Sequence, residues 1–385
     1  PLTDEEHDRY AKFASSTQMR PLIEHCERAL ERVTLGSHGL PLIGSGDWND
    51  GMDRVGDKGH GESVWLAWFA SVCAASLAHC ERRLDRIMQA RFWGQRAATW
   101  RRNAEKAGWD GDWYRRAYDD EGCPIGSQQN SECWIDSISQ SWSVFAGSTN
   151  SRSRTALKAA MRELFDDDAR IARLLWSPFE HSLHDPGYIQ SYPPGIRENG
   201  GQYSHAAAWL GLALARTGQG DEALRIFSAL NPIRHADSRA AAEKYRTEPY
   251  VVAADIGGVD QHRGKGGWTW YTGAAGWTWR LAVEGILGLT LHEGMLDIAP
   301  ALPASWDGFE ATLRRGGGTI RVRLTREGQT SGRERPQLFI NGEPFAGDRI
   351  AFPPRGKTIE VKAVIGRDKE ASVPNDATVA HGGIL

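Results

Sequence analysis

Apolar side chains recur at helical spacing along most of this chain, and long loops dense in Gly, Asp and Trp separate the helical runs. The periodicity predicts helices over residues 20–35, 62–80, 84–108, 137–146, 153–164, 205–217, 221–229 and 272–288. No strand signal falls between them. Helices alternating with long loops suit an all-α toroid of the (α/α)6 kind better than βαβ units. Past Gly288 the pattern changes. Pro300, Pro303 and Gly308 punctuate the chain, and alternation of period two appears at 319–324, 337–340 and 358–364. The expected organisation is a helical domain over 1–290, a small antiparallel β domain over 291–370 and a polar, flexible tail over 371–385.

The unusual residues sit in the loops. Gly44-Ser45-Gly46-Asp47-Trp48-Asn49-Asp50-Gly51-Met52 sets two carboxylates, an indole and an amide between glycines. An indole offers a flat apolar face to a pyranose ring, and Asp and Asn fix hydroxyls. One of the two carboxyls could protonate a glycosidic oxygen. Asn-Asp-Gly also marks plain turns, so a structural reading stands beside the chemical one. A second run, Gly266 to Trp277, is equally rich in Trp, Tyr, Thr and Gly.

Sixteen Trp in 385 residues suggest sugar binding, with a Trp-rich helical core as the other explanation. The formal net charge of -3 argues against a nucleic-acid footprint or a polybasic membrane patch. No run of eighteen apolar residues predicts a membrane span. The five cysteines, Cys26, Cys73, Cys80, Cys123 and Cys133, show no metal-ligand spacing. Cys73 and Cys80 read as buried thiols in a helix, and a reducing, cytoplasmic setting is expected. The chain opens on Pro1 and not on Met, which reads as a segment of something longer.

Three motifs carry a family resemblance. They are Gly46-Asp47-Trp48-Asn49-Asp50-Gly51-Met52, Tyr192-Pro193-Pro194-Gly195-Ile196-Arg197-Glu198-Asn199-Gly200-Gly201 and Trp268-Thr269-Trp270-Tyr271-Thr272-Gly273. In this order they resemble glycoside hydrolase family 94, the inverting β-glucoside phosphorylases, and most of all the C-terminal phosphorylase-like domain of cyclic β-1,2-glucan synthases. The resemblance implies an (α/α)6 toroid, of which this chain would hold only the later part, followed by a small β domain. It implies that Asp50 is the general acid and that Trp48 lines the sugar subsite at the cleaved bond. It places Arg197 in the sugar site, Glu248 close to the active centre, and His205, Thr272 and Gly273 on phosphate.

The residues themselves leave some roles open. Asp47 either joins the sugar site or braces the loop. Glu198 either binds sugar hydroxyls or pairs with Arg197. His205 either packs at a helix start or meets an anion there, protonated or as a hydrogen-bond donor. His262 reads as a local loop contact. Asp50 is expected to be buried against aromatic faces. Such chemistry needs no metal or other cofactor, because phosphate as co-substrate takes the place of water and its activating base. The implied partners are a β-glucan oligosaccharide, phosphate or α-glucose 1-phosphate, and an upstream segment of the same polypeptide or a companion chain. An inverting β-glucoside hydrolase and an inactive glucan-binding fragment are the alternative functions.

Overall fold

The computed structural model describes residues 17–259, 262–326, 332–333 and 335–365. The expected tail at 371–385 lies outside them. Among the described residues ten α-helices come first: α1 (Leu22–Glu31), α2 (Val64–Arg83), α3 (Ile87–Gly108), α4 (Ser137–Phe145), α5 (Ser151–Leu164), α6 (Ser204–Arg216), α7 (Gly220–Leu230), α8 (Pro232–His235), α9 (Arg239–Tyr245) and α10 (Ala274–Arg280). A β-rich part follows from Leu289.

Two kinds of helix alternate. In α4 every residue is buried, and α6 is buried from Ala206 to Ala215. Helix α3 buries only Ala90, Trp93, Ala97, Trp100, Ala104 and Gly108, the one-faced spacing of a helix that covers a core. Helix α5 is likewise one-sided. The serines of α4 tolerate burial because they bond back to the helix: Ser141 Oγ donates to the Ser137 carbonyl at 2.8 Å and Ser143 Oγ to the Gln140 carbonyl at 2.7 Å. Helix α2 is long and apolar enough to cross a membrane, but it packs against α3 and α4, with Trp65 and Trp68 in the core.

Each deeply buried helix is preceded by a two-residue strand. Glu62–Ser63 leads into α2, Ile135–Asp136 into α4 and Gln202–Tyr203 into α6. These strands pair antiparallel with Ala117–Tyr118, Leu175–Trp176 and Asp255–Ile256. The ladders pin distant loops to the N-terminal ends of α2, α4 and α6. Side-chain caps hold the same ends. Ser63 Oγ accepts from Leu66 N at 2.9 Å, and Asp136 Oδ1 accepts from Ile138 N at 2.9 Å.

The last predicted helix, 272–288, is two pieces: α10, then a π-helical stretch, Leu281–Ile286. The β part is not purely antiparallel, as expected, but mixed. Gly318–Arg326 runs parallel to Thr358–Ile365 within a five-stranded sheet. Trp306 packs against both the helical and the β core. Gly220 lies where the two parts meet; a Cβ there would come within 2.4 Å of the Ala301 carbonyl oxygen. Cys80 is exposed, contrary to the sequence reading, because it falls on the outer side of α2.

The tryptophan surplus divides. Trp65, Trp68, Trp93, Trp100, Trp113, Trp142 and Trp209 are buried in the helical body. Trp142 sits edge-on to Trp65, Phe69, Phe145 and Trp209. Trp142→Ala is expected to cost about 3–5 kcal/mol, measured by urea unfolding, as a large cavity opens among these rings.

Candidate active site

The motif loop is built from overlapping turns. Asp47 Oδ1 accepts from Asn49 N at 3.1 Å, and Asn49 Oδ1 accepts from Gly51 N at 3.2 Å. Gly46 allows the turn at φ 122°, and Met52 anchors it as a fully buried side chain. Asp50 stands exposed at the apex, between two residues that face inward. The expectation that aromatic faces enclose it is therefore corrected: the turns direct it outward. Its partner is the Tyr188 hydroxyl. Gly187, at φ 111°, sets Tyr188 there, and a Cβ on it would clash with Asp53 Oδ1 at 2.1 Å.

Asp47, unlike Asp50, is turned away from solvent. Its side chain is fully buried, Arg116 reaches both of its oxygens, and Ser63 Oγ donates to Oδ2 at 2.7 Å. The reading of Asp47 as a sugar contact is corrected to that of a brace. Asp136 lies on the other side of Arg116, 3.2 Å from Nε. Burial pushes the Asp136 carboxyl up to about 6 against the pull of Arg116. Gln140 fixes this loop from α4, accepting from Tyr114 N and donating to the Tyr114 carbonyl, each at 2.8 Å.

Trp48 is half-buried. Its ring meets Tyr203 edge-on at 5.3 Å, and it packs near His205 and Trp209. Tyr203 in turn contacts Arg197 and Glu198. Arg197 lies over the rings of Tyr192 and Trp268, and its Nε is 3.4 Å from Glu198 Oε2. Glu198 thus pairs with Arg197. Burial raises its carboxyl, with Asp50 and Asp255 adding to the effect and Arg197 opposing it.

His205 occupies the first turn of α6, against Trp209 and Trp277. Burial pushes its imidazole down to about 4, so at neutral pH it is uncharged. Of the two anion-binding forms expected for His205, this burial favours the neutral donor. Its Nε2 is buried with no hydrogen-bond partner among the described residues. Trp277 belongs to α10, which Thr272 and Gly273 open, and Thr272 Oγ accepts from Ala274 N at 3.0 Å. Glu248 is tied to the last motif, accepting from Thr269 Oγ at 2.8 Å and from Trp270 Nε1 at 3.3 Å. Trp268, Trp270 and Tyr271 are exposed beside it. His262 is a local contact in the Gly257 loop, its carbonyl accepting from Lys265 N at 2.9 Å.

The catalytic-domain model of the glycosyl hydrolase 94 superfamily matches residues 4–288. This chain belongs to that superfamily. The C-terminal-domain model of glycosyl hydrolase family 65 matches residues 289–345. The cyclic beta-(1,2)-glucan synthase of Rhizobium meliloti (strain 1021) is 48% identical over 344 residues, 88% of this chain and 12% of that protein. Solabiose phosphorylase of Paenibacillus borealis is 31% identical, over 83% of this chain and 41% of that protein. The family 94 chain therefore spans less than half the length of these relatives. A solved sialidase structure shares the fold at TM-score 0.52 and 14% identity, over 76% of this chain and 26% of that one.

In this family 94 chain the motif residues Trp48, Asp50, Arg197, Glu198 and His205 join one contact network. Sequence reasoning missed Arg116, Asp136, Tyr188 and Asp255. The one available signal was the polar, aromatic loop that carries Arg116. Arg116→Ala leaves two buried carboxylates unpaired and is expected to cost about 3–5 kcal/mol in urea unfolding. Replacing all three members by apolar residues of similar volume should cost less. The lowered His205 pKa sets a pH dependence. The unfolded chain takes up that proton near 6.5 and the folded one only near 4, so stability falls as pH drops through that window. His205→Gln should flatten the pH slope of the unfolding midpoint between these values. An unchanged slope would contradict the burial of a neutral imidazole.

Proposed function

We propose that this chain carries the acid, the sugar platform and the anion pocket of an inverting glycoside phosphorylase. The observation that carries the reading is one network joining an exposed carboxyl, Asp50, to an aromatic face, Trp48, and to an uncharged His205 whose buried Nε2 has no partner among the described residues. The substrate class is a β-linked glucan, with β-1,2 linkage favoured by the identity to the glucan synthase. In this reading Asp50 gives its proton to the glycosidic oxygen as that bond breaks, and a phosphate oxygen bonds to the anomeric carbon from the opposite face. The product is α-glucose 1-phosphate. In reverse, the Asp50 carboxylate takes the proton from the acceptor hydroxyl.

Trp48 supports the ring at the cleaved bond, Arg197 and Glu248 serve the sugar hydroxyls, and Glu198 orients Arg197 through their ion pair. His205 Nε2, the Thr272 hydroxyl and the Gly273 N–H receive the phosphate as donors. Because the Thr272 oxygen accepts from Ala274 N, its own hydrogen is left to donate. The alternation of buried and one-faced helices supports reading the helical body as the later arc of an (α/α)6 toroid. The rest of the catalytic unit comes from an upstream segment or a companion chain, a reading supported by the 41% coverage of solabiose phosphorylase.

The test is phosphate release from α-glucose 1-phosphate with β-1,2, β-1,4 and chito-oligosaccharide acceptors. The chain alone should be weakly active or inactive, and co-expression with the upstream segment should restore turnover on the β-1,2 acceptor. Asp50→Asn should then lower kcat by about 10²–10⁴-fold with the fold intact, since an amide donates no acid proton. An active Asp50→Asn protein would remove Asp50 from its role. Cleavage indifferent to phosphate would favour hydrolysis, with Glu198 or Glu248 as the base.

A further inference from the structure

We propose that Asp119, Cys123 and His184 form a binding site for a thiophilic divalent cation of the zinc class. One donor atom from each lies within 4.8 Å of the other two. A tight turn presents two of them. The Asp119 carbonyl accepts from Gly122 N at 2.9 Å, Asp119 N donates to the Cys123 carbonyl at 3.0 Å, and Asp119 Oδ1 accepts from Cys123 N at 2.8 Å. With Oδ1 so engaged, Oδ2 faces His184 Nδ1 at 2.9 Å. Glu121 Oε2 lies 3.6 Å from the same nitrogen as a further oxygen donor, and Lys58 holds the other Glu121 oxygen.

The donor set decides the class of ion. One sulfur, one imidazole nitrogen and one or two carboxylates suit zinc and its neighbours, whereas calcium and magnesium take oxygen alone. Tetrahedral zinc holds its ligand atoms about 3.3–3.6 Å apart, so small side-chain rotations close this cluster on an ion. Burial and the two carboxylates hold the Cys123 thiol up, and a cation reverses that balance. Binding then forms the metal–sulfur bond and releases the thiol proton to solvent. The ion would also tie the Asp119 turn to the loop of His184, four residues before Tyr188. The cysteine spacing gave no sign of this site, because His184 lies far along the chain in an irregular loop.

The test uses the untagged 385-residue chain, stripped with chelator and titrated with Co²⁺ and then Zn²⁺. The expected result is one equivalent of Co²⁺ with a near-ultraviolet thiolate charge-transfer band, displaced by Zn²⁺. Cys123→Ser should abolish that band, and it and His184→Ala should each weaken Zn²⁺ at least about tenfold, with Cys80→Ser unchanged. In the unaltered protein Zn²⁺ should also protect Cys123 from iodoacetamide, read by mass spectrometry. That readout does not depend on a variant folding. A missing thiolate band, equal Zn²⁺ affinity in Cys123→Ser and His184→Ala, or no protection of Cys123 would overturn the site.

Discussion

The Arg116 guanidinium, fully buried between the Asp47 and Asp136 carboxylates, is the interaction on which the position of the motif loop depends. A charge in that position is held only while both partners and their hydrogen bonds remain, and removing one partner strands the others. The geometry turns this cost into position. Asp47 belongs to the loop that presents Asp50, and Asp136 caps α4. Ser63, which donates to Asp47, caps α2. One planar cation thus registers the loop of Asp47 and Asp50 against the starts of two core helices. Arg offers the fork that reaches both Asp47 oxygens at once, which a Lys ammonium could not do.

Around that brace, polar and aromatic groups divide the labour. Asp50 stays accessible, held by a Tyr hydroxyl, while the His205 imidazole is kept neutral by burial among indoles. An uncharged imidazole can donate through Nε2 without the desolvation cost of a buried cation. The tryptophans serve two ends. Those in α2, α3, α4 and α6 build the helical core, whereas Trp48 and the exposed Trp268 and Trp270 line the loops.

What the sequence made legible follows from range. The longer helices carry their own period, so α2, α3, α6 and α7 emerge from spacing alone. The short ladders do not. Two residues show no alternation, and Gln202–Tyr203 finds its partner only at Asp255–Ile256. Strand alternation does not encode the direction of the neighbour, which is why the parallel pairing of Gly318–Arg326 was not foreseen. The same limit governs the site. Trp48 and Asp50 stand out within one motif, but Arg116 reaches Asp47 across 69 residues, and nothing local marks the pair. Tyr188 was hidden in a loop with no period at all.

The most direct test of the proposed site is a crystal structure of the protein with α-glucose 1-phosphate bound. The account predicts the glucose ring against Trp48, its anomeric oxygen facing the side of Asp50, and a phosphate oxygen within hydrogen-bond distance of His205 Nε2. A sugar phosphate bound away from Trp48, or a phosphate that leaves His205 Nε2 without a partner, would contradict it.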